Sequence, residues 1–247
     1  MKYFDCCAYL GAPSTTPDEI LRVLDEHGIE RAIVCHSDPA AATAAGANAG
    51  IIAQTSGQER LIPCLAFTPD PLSRDGLQQD ERDWLASLAC AARIYPRDSQ
   101  FSLKQWQSAG MIDHISAEGL PLLIGLDQFK TEHGYNFDLM YEFVKRYPLT
   151  DMIITGVGQD AERSMVRLMS LFSNLHIETS NLLWPGAIER FVNAAATRVE
   201  QVLFGTQAPV RNPAAAIEAL ATANISDEEK EFIAQHNFER IVLRPGV

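Results

Sequence analysis

The stretch "YFDCCAYLGAPSTTPDEILRVLDEHGIERAIVCHS", residues 3 to 37, has the pattern of a strand, a helix and a second strand. Thr16 and Glu19 have the spacing of a capping box, and Pro17 suits the first turn of a helix. Gly28 can adopt the left-handed conformation that ends a helix. Two strand-like runs joined by such a helix predict a parallel βαβ unit, because parallel strands need a crossover connection.

The same alternation continues along the rest of the chain. Six further runs have the length and composition of buried strands: 61–67, 91–96, 121–126, 151–157, 175–180 and 201–206. Eight strands alternating with helices are typical of a closed (β/α)8 barrel. An open doubly wound sheet is the main alternative, but no G-x-G-x-x-G turn follows the first strand and no G-x-x-x-x-G-K-[ST] motif occurs. We therefore predict one α/β domain of the TIM-barrel class over residues 1–247.

Composition excludes several classes of function. Lys and Arg total 20 against 32 for Asp and Glu, so the net charge of -12 disfavours binding to nucleic acid and to anionic membranes. The chain starts without the pattern of a secretory leader and has no long apolar run, so we expect a cytoplasmic protein. Its five cysteines show no framework-like spacing, which predicts free thiols.

Several strand ends together resemble the amidohydrolase superfamily, in the branch of small-molecule hydrolases and aminocarboxymuconate-semialdehyde-type decarboxylases. "FDCCAYLG" (4–11) is similar to a first strand of the form D-x-H-x-H-x-G, and "VLFGTQAP" (202–209) to F-G-[ST]-D-x-P. Further similar pieces are "AARIYP" (91–96), "YPLTDMIITGVG" (147–158), "NLHIETSNL" (174–182) and "ISDEEKEFIAQHNFERIV" (225–242). The resemblance spans nearly the whole chain and implies a barrel of the metal-dependent-hydrolase type.

The resemblance also implies where the family binds its divalent metal and activates water. Its ligands come from strands one, four or five, and six, with an aspartate after strand eight. Those positions here hold Cys7, Tyr9, Gly125, Gly156 and Gln207. Glycine offers no side-chain ligand, and a glutamine amide cannot act as a general base. We therefore predict no metal, no cofactor and no metal-water mechanism.

Other polar groups follow the predicted strands, at the end where barrels of this class place their sites. The candidate catalytic residues are His36, Arg93, Tyr9 and Cys7; the candidate substrate-binding residues are Tyr95, Asp127, Glu178, Trp184 and Gln207. A guanidinium suits a carboxylate ligand, and a histidine suits a general base. Cys7 could be a nucleophile if a neighbouring cation lowered the pKa of its thiol.

Each candidate also has a purely structural interpretation. Cys7 and Tyr9 could simply fill the volume of a lost metal site, and Arg93 could form an ion pair at a loop. His36 could be a hydrogen-bonded loop residue. Asp127 and Glu178 could pair with the arginine or cap a neighbouring helix. The remaining cysteines, namely Cys6, Cys35, Cys64 and Cys90, are expected to be packing residues, with Cys6 facing the layer between barrel and helices.

Two functional hypotheses from different classes therefore remain open. One is a metal-independent hydrolase, lactonase or isomerase acting on a small carboxylate, since related barrels include metal-free lactonases. The other is a non-catalytic barrel, a pseudoenzyme, that binds a small molecule or a protein partner. A metal enzyme with ligands assembled elsewhere is a third, weaker alternative. The resemblance further implies a homodimer or a larger assembly.

Overall fold

The computed structural model describes residues 1–11, 15–38, 46–73, 76–194 and 198–243. All eight predicted strands are present there and form one parallel sheet. In chain order the strands are β1 Tyr3–Leu10, β2 Ile29–His36, β3 Leu61–Phe67, β4 Ala91–Ile94, β5 Leu122–Gly125, β6 Lys130–Thr131, β7 Gly134–Tyr135, β8 Met152–Thr155, β9 Leu175–Glu178 and β10 Val202–Leu203. β6 and β7 form a separate antiparallel hairpin that the sequence did not predict.

The sheet closes into the predicted barrel. Its strand order is β1-β2-β3-β4-β5-β8-β9-β10, so every barrel strand lies beside its neighbour in sequence. The ends of the sheet meet where β1 contacts the segment after β10. There the Cys6 amide donates to the Phe204 carbonyl (2.9 Å), and the Gln207 amide donates to the Cys7 carbonyl (2.7 Å). These hydrogen bonds bring the first and last strands of the chain to the same wall of the barrel.

Helices cover the outside of this barrel. The described helices are α1 Pro17–His27, α2 Ala47–Thr55, α3 Gln79–Ser87, α4 Gln105–Ala117, α5 Phe137–Arg146, α6 Glu162–Leu171, α7 Ala187–Asn193, α8 Pro213–Thr222, α9 Asp227–Glu231 and α10 Asn237–Ile241. The predicted capping box of α1 is present between Thr16 and Glu19, and Gly28 ends the helix at φ 66°. Within the described ranges, no helix combines the length and apolarity needed to span a membrane.

The buried residues form two layers separated by the sheet. On β2, Ala32 and Val34 pack in the outer layer against the helices, whereas Ile33 and Cys35 pack inside the barrel. β1 departs from this alternation because its register against β2 shifts between Asp5 and Ala8. Such a bulge breaks the period of two. The prediction that Cys6 faces the helices is therefore wrong, since its side chain packs in the same inner cluster as Cys7.

The last helix closes the bottom of the barrel. Phe238 of α10 is fully buried and meets Phe4 of β1 edge to face, with ring centroids 5.5 Å apart. The neighbouring Asn237 donates to the carbonyls of Val199 and Val202, at 2.8 Å each. Aromatic packing and buried amide hydrogen bonds thus hold the C-terminal helix against the start of the barrel.

Replacing the aromatic ring at this closure should be costly. We expect Phe238→Ala to lower the free energy of unfolding by about 3 to 5 kcal/mol, because it leaves a cavity between β1 and α10. Urea denaturation followed by circular dichroism measures the change. Leu149→Ala is the control, since this apolar side chain is 84% exposed and should change stability by less than about 0.5 kcal/mol. Equal effects of the two variants would contradict the described closure.

Candidate functional site

Arg93 occupies the centre of the barrel toward the C-terminal ends of the strands. It lies on β4, is 5% exposed, and reaches residues of three other strands. Nη1 lies 3.5 Å from the Cys7 sulfur and 3.3 Å from the Cys35 sulfur. Nη2 donates to the Tyr9 hydroxyl (3.2 Å) and to the Thr155 hydroxyl (3.4 Å). The guanidinium therefore contacts β1, β2 and β8 at once, through long hydrogen bonds to neutral groups.

Two aromatic rings flank this guanidinium. The Arg93 Cζ atom lies 5.4 Å from the ring centroid of Tyr9 and 5.3 Å from that of Tyr95, which are cation–π distances. The Tyr95 hydroxyl donates to the backbone carbonyl of His36 at 3.2 Å, which fixes its ring. The structure thus brings together Arg93, Tyr9, Tyr95 and Cys7 of the predicted site residues.

The charge of Arg93 has no acidic partner in the described part of the chain. No Asp or Glu oxygen of those residues lies within 4.0 Å of a guanidinium nitrogen, and Arg93 Nε is buried with no hydrogen-bond partner there. The alternative interpretation of Arg93 as a loop-anchoring ion pair is therefore wrong. Arginine stays protonated in proteins, so a full positive charge is held in the barrel by weak contacts alone.

The thiols and phenols around Arg93 are neutral at physiological pH. Hydrogen bonding to Cys35 and burial raise the pKa of the Cys7 thiol well above its usual range, despite the opposing effect of Arg93. Burial raises the pKa of Cys35 to about 12. Burial likewise raises the pKa of the phenols of Tyr9 and Tyr95. A nucleophilic Cys7 would need a lowered pKa, and the surroundings act in the opposite direction.

A second polar group lies between β8, β9 and the segment after β10. Glu178 is fully buried; its Oε1 accepts from the Gly156 amide (2.7 Å) and the Ser180 hydroxyl (2.7 Å), and its Oε2 accepts from the Ser180 amide (2.5 Å). Gln207 Nε2 donates to Glu178 Oε1 at 3.3 Å. Glu178 caps the 3-10 turn Thr179–Asn181, so the capping interpretation of this residue is confirmed.

The remaining predicted site residues lie outside this constellation. Asp127 is exposed, and its carboxylate accepts from Gln128 Nε2 at 2.8 Å. Trp184 Nε1 donates to Glu162 at 2.9 Å, so its ring lies toward α6 rather than beside Arg93. The His36 imidazole packs on Gly11, and its Nδ1 accepts from the Asp38 amide at 3.3 Å.

His36 is separated from Arg93 by the alternation of β2. The Cys35 side chain points into the barrel. Because side chains alternate along a strand, the next residue, His36, is at an outward-facing position. In the described ranges, no hydrogen bond joins the imidazole to Arg93, Cys7 or Tyr9. His36 therefore makes no described hydrogen bond to the group around Arg93, and its role as a general base stays a prediction.

Sequence reasoning missed two contacts of Arg93, Cys35 and Thr155. Both have the inward parity of their strands, with Ile33 two residues before Cys35 and Ile153 two residues before Thr155. Applying the period of two to every predicted strand would have identified them. In the part of the chain that the structure describes, no group of three or more His, Cys, Asp or Glu side chains is arranged to hold a metal ion.

Asp5 is a further buried group near the closure of the barrel. Its Oδ1 accepts from the amides of Cys7 (2.9 Å) and Thr206 (3.0 Å), and its Oδ2 accepts from the Thr206 hydroxyl. Burial raises the pKa of Asp5 to about 7 in spite of these hydrogen bonds, and the charge of Glu178 adds to the rise. Asp5 therefore joins β1 to the segment after β10 largely as a neutral acid below pH 7.

The architecture resembles that of solved enzyme structures. No protein-family model and no curated protein match the chain. An uncharacterized TIM-barrel protein from Bordetella bronchiseptica aligns with a TM-score of 0.78 at 13% identity, over 98% of this chain and 99% of the other. A dihydroxybenzoic acid decarboxylase from Polaromonas, solved with manganese and 2-nitroresorcinol, aligns with a TM-score of 0.70 at 15% identity, over 98% and 96%.

A third structure has the same fold. The "probable 2-pyrone-4,6-dicarboxylic acid hydrolase" of Acinetobacter baumannii, solved with citric acid, aligns with a TM-score of 0.71 at 11% identity, over 99% and 100%. At these identities the likeness concerns the fold, and it spans the full length of both chains. The chain therefore has the TIM-barrel fold that its alternating strands and helices predicted.

The raised pKa of Asp5 should appear as a pH dependence of stability. Between about pH 4 and pH 7 the folded chain holds a proton on Asp5 that the unfolded chain releases, so stability should fall as pH rises through this window and level off above it. Asp5→Asn removes the ionisation and keeps Oδ1 as the acceptor for the amides of Cys7 and Thr206, while its Nδ2 donates to the Thr206 hydroxyl oxygen instead of accepting from it. We expect the variant to gain stability relative to wild type from pH 4.5 to 7.5 in urea denaturation. Asp138→Asn, at an exposed position, controls for general charge effects; parallel curves for Asp5→Asn and wild type would contradict the assignment.

Proposed function

We propose that this protein binds a small carboxylated molecule at the C-terminal end of the barrel, with Arg93 as the carboxylate-binding group and without a divalent metal. The observation that carries the proposal is the buried guanidinium with no described acidic partner. A buried charge that is not neutralised costs free energy, so it persists where function requires it. An incoming carboxylate would supply the missing negative charge and accept hydrogen bonds from the guanidinium.

The neighbours of Arg93 support a site that takes an anion. Its described contacts are long bonds to sulfur and hydroxyl groups at 3.2 to 3.5 Å, which an ionised oxygen can replace at little loss. The flanking rings of Tyr9 and Tyr95 offer apolar faces to the body of a ligand. Neutral phenols and thiols neither compete with a bound anion nor repel it.

The same surroundings do not fit the divalent cation that the resemblance implies. Of the five positions concerned, two are glycines, Cys7 and Tyr9 remain protonated, and Gln207 is hydrogen-bonded to Glu178. A guanidinium already lies within 3.5 Å of Cys7 and Tyr9 and would repel a second cation. We propose that Arg93 provides the positive charge in this barrel.

The surroundings favour binding over catalysis. Asp5 and Glu178 are the two fully buried carboxyl groups of the described residues, and each accepts at least three hydrogen bonds from the protein. Neither is placed by those contacts to take a proton from a water molecule beside Arg93. A metal-independent hydrolase or lactonase is the second candidate. The hydroxyl of Tyr9, bound to the guanidinium, favours it because a neutral phenol can donate a proton to a carbonyl oxygen.

A methionine at position 93 should separate stability from binding. We expect Arg93→Met to be at least as stable as wild type, with a gain of up to about 4 kcal/mol, because it replaces an unpaired buried charge with an apolar side chain. The same change should weaken carboxylate binding by about 10- to 100-fold, through loss of charged hydrogen bonds. Urea denaturation and calorimetric titration with citrate, benzoate and 2-pyrone-4,6-dicarboxylate measure the two effects.

The control for this variant is Arg60→Met. Arg60 forms an ion pair with Asp25 at 2.6 Å and donates to the carbonyls of Ile29 and Glu30. Its loss should lower stability and leave carboxylate affinity unchanged. A strongly destabilised Arg93→Met protein, or a wild-type protein that binds none of the carboxylates, would contradict the proposal.

Metal removal gives an independent test. We expect carboxylate affinity to stay within about twofold after dialysis against EDTA and after addition of manganese or zinc, because the described residues provide no ligand set for these ions around Arg93. Elemental analysis of protein purified without chelator should accompany the titrations. A stoichiometric transition metal, together with loss of binding on its removal, would contradict the metal-independent site.

A further inference from the structure

We infer that Gln207, oriented by Glu178, selects carboxylates that also carry a hydroxyl group. The inference rests on the proposed carboxylate site at Arg93 and identifies the class of ligand that the site prefers. In the inferred complex, the side-chain carbonyl of Gln207 accepts a hydrogen bond from the ligand hydroxyl, and the guanidinium of Arg93 binds the ligand carboxylate.

Gln207 is held firmly at the edge of the barrel. It has a positive φ of 57°, which non-glycine residues rarely adopt. Its amide donates to the Cys7 carbonyl at 2.7 Å, and its carbonyl accepts from the Arg211 amide at 3.1 Å. These two backbone hydrogen bonds hold the Gln207 backbone in this conformation, and they fix the position of its Cα atom on the barrel wall.

The carboxylate of Glu178 determines which way the Gln207 amide points. Glu178 accepts from the Gly156 amide and from the amide and hydroxyl of Ser180, so its surroundings consist of donors. A carboxylate in such surroundings accepts hydrogen bonds and donates none. The nitrogen of the Gln207 amide therefore faces Glu178, as the 3.3 Å contact describes, and the oxygen points away from it.

The Gln207 oxygen is left without a described partner. None of the hydrogen bonds of the described residues uses Oε1, and the side chain is half-buried rather than exposed to bulk water. A carbonyl oxygen only accepts hydrogen bonds, so a complementary ligand must present a donor. At neutral pH an ionised carboxylate has none, whereas a hydroxyl group does.

Gln207 and Arg93 share contacts on β1 and at the end of β8. Both contact Cys7, which meets Gln207 through its carbonyl and Arg93 through its sulfur. Both residues also lie near the end of β8. Arg93 contacts the Thr155 hydroxyl there, and Gln207 Nε2 lies 3.7 Å from the point that a Cβ atom at Gly156 would occupy. In the inferred complex, a small molecule at the end of β8 contacts the guanidinium and the amide oxygen together.

The test compares ligands that differ by one hydroxyl group. Citrate and tricarballylate form one pair, and 2-hydroxypropionate and propionate form a second. We expect wild-type protein to bind the hydroxylated member about tenfold more tightly, which is the contribution of about one hydrogen bond. Gln207→Met should bring the ratio close to one and leave the affinity for tricarballylate and propionate within about twofold of wild type.

The outcomes distinguish this inference from the proposed site. Equal wild-type affinity within each pair, with binding abolished by Arg93→Met, would overturn the inference and leave the carboxylate site standing. A preference for the hydroxyl that persists in Gln207→Met would also overturn it. If wild-type protein binds no member of either pair, the carboxylate site fails and the inference fails with it. The wild-type ratios decide the question even if a variant does not fold.

Discussion

The buried charge of Arg93 sets the electrostatic surroundings inside the barrel, at the C-terminal ends of the strands. A full charge is held among two thiols, two phenols and one hydroxyl, and none of these groups carries a negative charge at neutral pH. The low polarity of these neighbours raises the cost of removing each thiol proton, even beside a cation. Cys7 and Tyr9, which suggest reactive chemistry in the sequence, are therefore neutral groups around the charge of Arg93.

Local signals made the fold predictable, and long-range contacts limited what the sequence could say about the site. The caps of α1 and the short strand runs are encoded within a few residues, so the eight strands could be located from the sequence alone. The bulge in β1 depends on pairing with β2, which no local pattern reveals. It places Cys6 in the inner cluster, whereas the ordinary alternation of β2 directs Cys35 inward and His36 away.

Three glycines at the C-terminal ends of the barrel strands lie close to polar side chains. A side chain at Gly125 would collide with the Asp127 carboxylate at 2.2 Å, and one at Gly205 would meet Glu178 at 2.7 Å. At Gly156, the nearest group is the Gln207 amide at 3.7 Å. A histidine at position 125 would therefore require the Asp127 side chain to move. A substitution at such a glycine therefore also affects the polar group beside it.

This coupling bears on which chemistry the barrel can support. A hydrolytic reaction needs a group that takes a proton from water, and the fully buried carboxyl groups of the described residues are already engaged: Asp5 with Thr206 and Glu178 with Ser180. Freeing Glu178 would release the Ser180 turn and the orientation of Gln207 together. Using Glu178 as a base would therefore cost the fixed orientation of the Gln207 amide. In the proposed site, ligand selection and proton abstraction therefore compete for the carboxylate of Glu178, whose described hydrogen bonds hold the Ser180 turn and the Gln207 amide.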